Sequence, residues 1–141
     1  MSNNSKRHLL SLFVLLVFIL LAIGSYNMKE DIKKDQSQAP SYILSAEQLF
    51  GDYESNEAAA DSKYRGRVVV VSGTIQSSGI DLMNNTYIVI GGEGLLDGVQ
   101  CSFIKDQKSS VSLLSRGQNV KVKGEVVGRM GNVLIYKCTL Q

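Results

Sequence analysis

Residues 119–127 read Asn-Val-Lys-Val-Lys-Gly-Glu-Val-Val. Val120, Val122, Gly124 and Val126 fall on one face, and Lys121, Lys123 and Glu125 on the other. Alternation of this kind is the period of a strand with one side buried and one side wet. Gly131-Asn132 then marks a turn, and Val133 to Leu140 forms a second strand with Leu134, Tyr136, Cys138 and Leu140 facing in. The pair reads as a hairpin at the end of the chain.

Working back from Asn119, Gly117 stops a short helix over Asp106 to Ser115, where Val111 and Leu114 stand at i, i+3 spacing. Val99 to Ile104 alternates, with Val99, Cys101 and Phe103 on the inner face. Gly91-Gly92-Glu93-Gly94 is a turn or barrel corner; it lacks the Gly-Lys-Ser/Thr ending of a phosphate loop and the third glycine of a dinucleotide fingerprint. Tyr87 to Ile90 is a strand. Ser77-Ser78-Gly79 and Asn84-Asn85 read as turns, and Val68 to Ile75 is rich in valine and reads as a strand. Before it, Gly66 ends a helix over Glu57 to Lys63 that Asn56 caps, and Ser45-Ala-Glu-Gln48 is a capping box opening another. The class is mainly β. Three strands, a helix and two strands, preceded by one or two short N-terminal helices, is the order of a five-stranded OB-type barrel (β-β-β-α-β-β). The domain runs from 45 to 141.

The N-terminus has another character. Lys6, Arg7 and His8 precede an apolar run from Leu9 to Ile23 that only Ser11 interrupts. As a helix, that run is about 22 Å long against about 30 Å of hydrocarbon, and extension to Tyr26 brings it nearer to spanning. Residues 1–26 are therefore a retained transmembrane anchor or a signal peptide cut after Ala22-Ile23-Gly24. No cysteine lies near the end of the run, so a lipoprotein cleavage box is absent. The positive flank places the later residues outside the cytoplasm. Residues 27–44, polar and holding the one proline, Pro40, are a flexible linker.

Charge excludes some functions. The chain has 15 basic and 13 acidic residues, without the strong excess of a dedicated nucleic-acid binder. It is uneven, however. Ser45 to Lys63 holds five acids against Lys63 alone, whereas Tyr64 to Gln141 holds nine basic residues against five acids. The sole histidine, His8, lies before the apolar run. The domain thus lacks the usual base at neutral pH and the commonest metal ligand. Asp81, Glu93 and Asp97 read as solvated loop acids. The pattern is not that of an enzyme, and no cofactor or metal is expected.

Several segments carry a resemblance. Asn56-Glu57-Ala58-Ala59-Ala60-Asp61, Lys63-Tyr64 and Gly66 are followed by Val68, Val70 and Gly73, and then by Gly98-Val99-Gln100-Cys101 with Phe103. Leu114, Gly117, Val120, Val122, Gly124, Gly128, Asn132-Val133 and Cys138 complete the set. In these the chain resembles the tRNA-anticodon-like family of bacterial OB domains from about Ser45 to the C-terminus. The resemblance implies the OB fold and, through fold likeness, nucleic-acid binding.

An OB surface that binds single strands presents aromatics on its outer face among basic residues. Tyr87 is the outward aromatic, with Phe103 and Tyr136 expected in the core. Lys121, Lys123, Arg129, Arg65 and Arg67 are the candidate basic rim. Against this stands the plainer reading of a solvated face. Cys101 and Cys138, on two inward faces, are a candidate disulfide in an oxidising compartment, or else two buried thiols. The expectation is an extracytoplasmic binding module on a bacterial inner membrane, held through residues 9–26 with the domain facing the periplasm or exterior, or secreted if cleaved. Its ligand would be single-stranded nucleic acid, an envelope glycan or an envelope protein. The competing expectation is a structural or assembly subunit of an envelope complex.

Overall fold

The computed structural model describes residues 11–23, 38–92, 94 and 97–141. The chain divides into two compact units, residues 1–37 and residues 38–141. In the first, residues 11–23 form helix α1, apolar and exposed. Among the described residues no helix is long and apolar enough to cross a membrane. The basic flank and most of the linker lie outside the described residues, as does Glu93.

The second unit runs β1 (Tyr42–Ser45), α2 (Ala46–Ser55), α3 (Glu57–Tyr64), β2 (Val68–Ile80), β3 (Thr86–Ile90) and β4 (Val99–Phe103). A 3-10 turn (Lys105–Gln107), α4 (Lys108–Val111), β5 (Asn119–Met130) and β6 (Asn132–Leu140) follow. Strands β2 to β6 close a five-stranded barrel in the order β2-β3-β4-β6-β5, with β5 returning to β2. One strand reaches two neighbours by turning a corner. Val68–Thr74 of β2 pair with β5, and Ile75–Ile80 pair with β3, with an irregularity between Ile75 and Ser77. Such bulges are how a small barrel bends its strands. β4 and β6 are parallel, and the other barrel pairs are antiparallel.

Four departures from the sequence reading have physical causes. Ser77-Ser78-Gly79 is strand, not turn, because these residues pair with Val89, Ile88 and Tyr87. Tyr42–Leu44, placed in the linker by composition, belong to β1 and run parallel to Val69–Val71; so short a strand is defined by its partner, not by its own periodicity. The helix before Gly117 shrinks to one α-helical turn after a 3-10 turn, its serines competing for backbone hydrogen bonds. Most consequential is β6, where Ile135 and Cys138 are both buried, Leu134 is half-buried, and Tyr136 is 42% exposed. Lys137 takes a left-handed φ of 54°, and the β5–β6 register shifts between Lys123 and Glu125. The extra residue reverses the strand's phase, so Tyr136 points out.

α2 closes one end of the barrel. Ser45 caps it as expected: Gln48 N–H donates to Ser45 Oγ at 3.2 Å, and Ser45 N–H donates to Gln48 Oε1 at 2.9 Å. Ala46, Leu49, Phe50 and Tyr53 are buried, and a large apolar side chain so placed contributes about 2 kcal/mol. The approach is close: a Cβ at Gly73 or Gly91 would lie 3.2 or 2.6 Å from Ala46 Cβ. Asn56 then caps α3 by accepting from Ala59 N–H at 3.1 Å. The two helices exchange bonds. Tyr53 donates to Asp61 at 2.9 Å, and Tyr64 donates to Asp52 at 2.5 Å. The Tyr64 bond, with Lys63 at 3.1 Å, holds Asp52 below the usual carboxylate range.

Cys101 and Cys138 are both buried and carry free thiols in this structure. Phe103 pairs with Cys138 in the parallel β4–β6 register. The Cys138 thiol donates to the Ile135 carbonyl at 3.3 Å. Burial pushes its pKa well up, and the adjoining Cys101 thiol adds to the effect.

Two outcomes follow from this packing. Gly124→Ala places a Cβ 2.6 Å from Ile135 Cγ2 and 2.8 Å from Cys138 Sγ and should destabilise by about 1–3 kcal/mol. Gly51→Ala, in open space on α2, should stabilise by up to about 1 kcal/mol; urea unfolding of the two variants measures both. Protein prepared with reductant should hide both thiols from a water-soluble reagent until it is unfolded, and then show two. A thiol that reacts in the native state would contradict the burial.

Candidate binding surface

The outer face of β5 and β6 follows from the alternation read at the outset. With Val122 and Val126 in the core, Lys121 and Glu125 point outward; Lys121 is exposed, and Lys123 and Glu125 are half-buried. Lys123 stands opposite Thr139, and Glu125 opposite Tyr136. Lys137 Nζ lies 3.7 Å from Glu125 Oε2. The face therefore holds an exposed phenol among three lysines and one glutamate. Tyr136 was hidden from sequence reasoning because both phases of 133–136 are apolar. Lys137 and Thr139 then favoured the phase that buries it.

Tyr87 points outward as expected but is half-buried. It pairs with Gly79 on one side and Ser102 on the other. A Cβ at Gly79 would fall 2.8 Å from the Tyr87 hydroxyl and 2.9 Å from Cζ, so the ring lies across the glycine and shields its backbone. Ser102 Oγ is buried with no hydrogen-bond partner. With Val89 and Gln100, these residues make the outer surface of β3 and β4 neutral.

The arginines of the expected rim sit elsewhere. Arg65 follows α3 and pairs with Asp61 at 3.0 Å. Arg67 is exposed just before β2, where its backbone bonds to Tyr64 and Val126. Arg129 is structural. Its guanidinium lies 4.9 Å from the Phe50 ring, its Nε donates to the Gly131 carbonyl at 3.1 Å, and an Nη donates to the Tyr53 carbonyl at 3.4 Å. It ties the end of β5 to α2. The structure thus brings Lys121 and Lys123 together, adds Tyr136 and Lys137, and engages Arg65 with α3 and Arg129 with α2.

A shallow cleft of about 290 Å³ opens beside α2, lined by Glu47, Phe50, Gly51, Glu54, Gly92 and Asp97. Among the described residues no three His, Cys, Asp or Glu side chains are grouped to hold a metal. Asp81, another loop acid, is bonded within its own turn.

Comparison with known proteins agrees with the architecture. No curated protein matches the sequence. Among solved structures, a lipoprotein from Klebsiella pneumoniae subsp. pneumoniae, provisionally described as nucleic acid-binding, superposes with a TM-score of 0.57 at 18% identity; the match covers 70% of this chain and 90% of that one. An OBody bound to hen egg-white lysozyme matches with a TM-score of 0.43 at 21% identity, over 56% of this chain and 83% of the other. At 18% identity the likeness to the lipoprotein is one of fold. The tRNA_anti-like family model matches residues 1–139, nearly the whole length, and the chain belongs to the tRNA_anti-like family.

Proposed function

We propose that the protein is a membrane-tethered, extracytoplasmic OB-fold module that binds a single-stranded nucleic acid or a similar extended anionic polymer on the outer face of β5 and β6. The observation that carries this reading is the exposure of Tyr136 next to Lys137 on β6, on the same outer face as Lys121 and Lys123 of β5, with Glu125 opposite the ring. A phenol offers a flat stacking surface, and lysines on the same face meet phosphates. The apolar run near the N-terminus supports the tether, and its basic flank supports the outward orientation. The related fold of the Klebsiella lipoprotein supports the class of ligand.

Binding rather than catalysis fits the residues. The folded unit holds no histidine, and the described carboxylates are bonded to turns and helices or lie open at the surface. In an oxidising compartment Cys101 and Cys138 would close a bridge across 36 intervening residues, which would contribute about 4 kcal/mol in the chain-entropy account. A second reading, a structural subunit of an envelope complex, draws on one observation. The outer surface of β3 and β4 is neutral and its aromatic covers a glycine, which suits a protein neighbour better than a phosphate chain.

Fluorescence anisotropy with a labelled single-stranded oligonucleotide, at low and moderate salt, tests the first reading. Lys121→Ala and Lys123→Ala should each weaken binding and lower the salt slope by about 1. Tyr136→Ala should lose about 1–3 kcal/mol of affinity. Arg129→Gln should cost about 1 kcal/mol of folding stability, through the lost hydrogen bonds, and leave affinity unchanged. Absence of binding at low salt would refute the nucleic-acid reading and favour the subunit.

A further inference from the structure

The two ends of the barrel differ in chemistry. α2 and α3 cover the end where β3 finishes and β4 begins, and they bring the acids of the 45–63 segment there. The opposite end, where β3 begins and β4 finishes, is formed by the β2–β3 hairpin and the start of the connection after Ile104; that connection then returns to Ile75, whose carbonyl accepts from Gly117 N–H at 2.8 Å. The hairpin tip displays Ile80, Leu82 and Met83 at 60%, 107% and 78% exposure. Leu113 in the connection is 82% exposed. Isolated exposed apolar residues are ordinary, but three within four residues at one tip are not.

The tip is held in place. Asp81 N–H donates to the Asn85 carbonyl, and Asn84 N–H donates to the Asp81 carbonyl, both at 2.9 Å. The Asp81 carboxylate accepts from Met83 N–H at 2.9 Å, Asn85 N–H at 2.8 Å and Asn85 Nδ2 at 3.2 Å. Asn84 takes the left-handed φ of 62° that asparagine tolerates. These bonds keep Asp81 charged below the ordinary carboxylate range and direct its charge into the turn, away from Leu82. Lys105 and Lys108 are exposed at the start of the connection, with Asp106 as the one acid between them.

We propose that this end of the barrel docks on an anionic lipid surface, with Leu82 and Met83 entering the acyl boundary and Lys105 and Lys108 meeting lipid phosphates. The tip is convex, narrow and aliphatic. A fluid interface accepts such a shape without a matching groove, and basic residues beside it complement acidic headgroups. The inference rests on the tethered reading for the nearness of a bilayer. Residues 24–37 reach at most about 50 Å, longer than the roughly 40 Å that the 13 residues of β2 span when fully extended. The covalent length therefore allows the hairpin end to meet the surface.

The chain contains no tryptophan, so Leu82→Trp introduces a single reporter at a fully exposed position. Ile43→Trp, at a β1 position 74% exposed, is the control. Full-length chain is reconstituted with vesicles of phosphatidylcholine containing phosphatidylglycerol, and each preparation is checked by flotation. The expected result is blue-shifted emission from L82W, quenched by brominated acyl chains, while I43W stays at the emission of water. Changing Lys105 and Lys108 to Gln in the L82W background should return much of the shift. Chain that floats with L82W emitting as in water overturns docking and leaves the tether standing. Chain that stays in the aqueous fraction overturns both. Blue-shifted L82W emission before vesicles are added, unaffected by brominated lipid, assigns the tip to a protein contact and also overturns the proposal.

Discussion

The missing side chain at Gly124 governs the far wall of the barrel. Ile135 Cγ2, Cys138 Sγ and the Tyr136 carbonyl all crowd the space a Cβ would fill. With that space free, β6 sends both Ile135 and Cys138 into the core although they stand three positions apart. A strand of period two does this only by carrying an extra residue, and Lys137 absorbs it with a left-handed φ. Tyr136 is turned outward by the same irregularity. Core packing and the proposed binding surface thus share one cause, and a change that relieved the crowding would alter both.

At one end of the barrel a helix takes the place of a further strand layer. α2 inserts Ala46, Leu49, Phe50 and Tyr53, and Gly73 and Gly91 let its backbone come near. α3 folds back on α2 through paired tyrosine–carboxylate bonds that engage Asp52 and Asp61. The acidity of this segment is therefore partly internal, a means of joining two short helices that would be marginal alone. Its other consequence is a difference between the two ends of the barrel. The charge asymmetry along the chain becomes an asymmetry in space because the acidic segment caps one end and Lys105 and Lys108 leave β4 at the other.

Most of the fold was legible. The Lys121–Glu125 alternation, the Ser45 and Asn56 caps and the order of strands around one short helix lead to the OB barrel with few alternatives. What escaped depends on partners distant in sequence. β1 is a strand because Val69–Ser72 offer an edge, and Ser77–Gly79 are strand because β3 lies beside them. The β6 bulge answers to Gly124, whose role no local pattern reveals. The candidate site was legible by halves. Periodicity places Lys121 and Lys123 on the outward face of β5, where the structure has them. Tyr136 was assigned to the core, and Arg65 and Arg129 were assigned to a rim although they serve the α2–α3 cap. Long cations look alike in sequence, and only their neighbours separate a binding group from a brace.

The central claim, that ligand lies across the outer face of β5 and β6, is tested most directly by mapping amide shifts of isotope-labelled full-length protein in lipid nanodiscs as a single-stranded oligonucleotide is added. The account predicts saturable shifts centred on Lys121, Lys123, Tyr136 and Thr139, with α2 and α3 unmoved. Shifts confined to the cleft beside α2 or to the outer surface of β3 and β4, or no shifts at all, would contradict it.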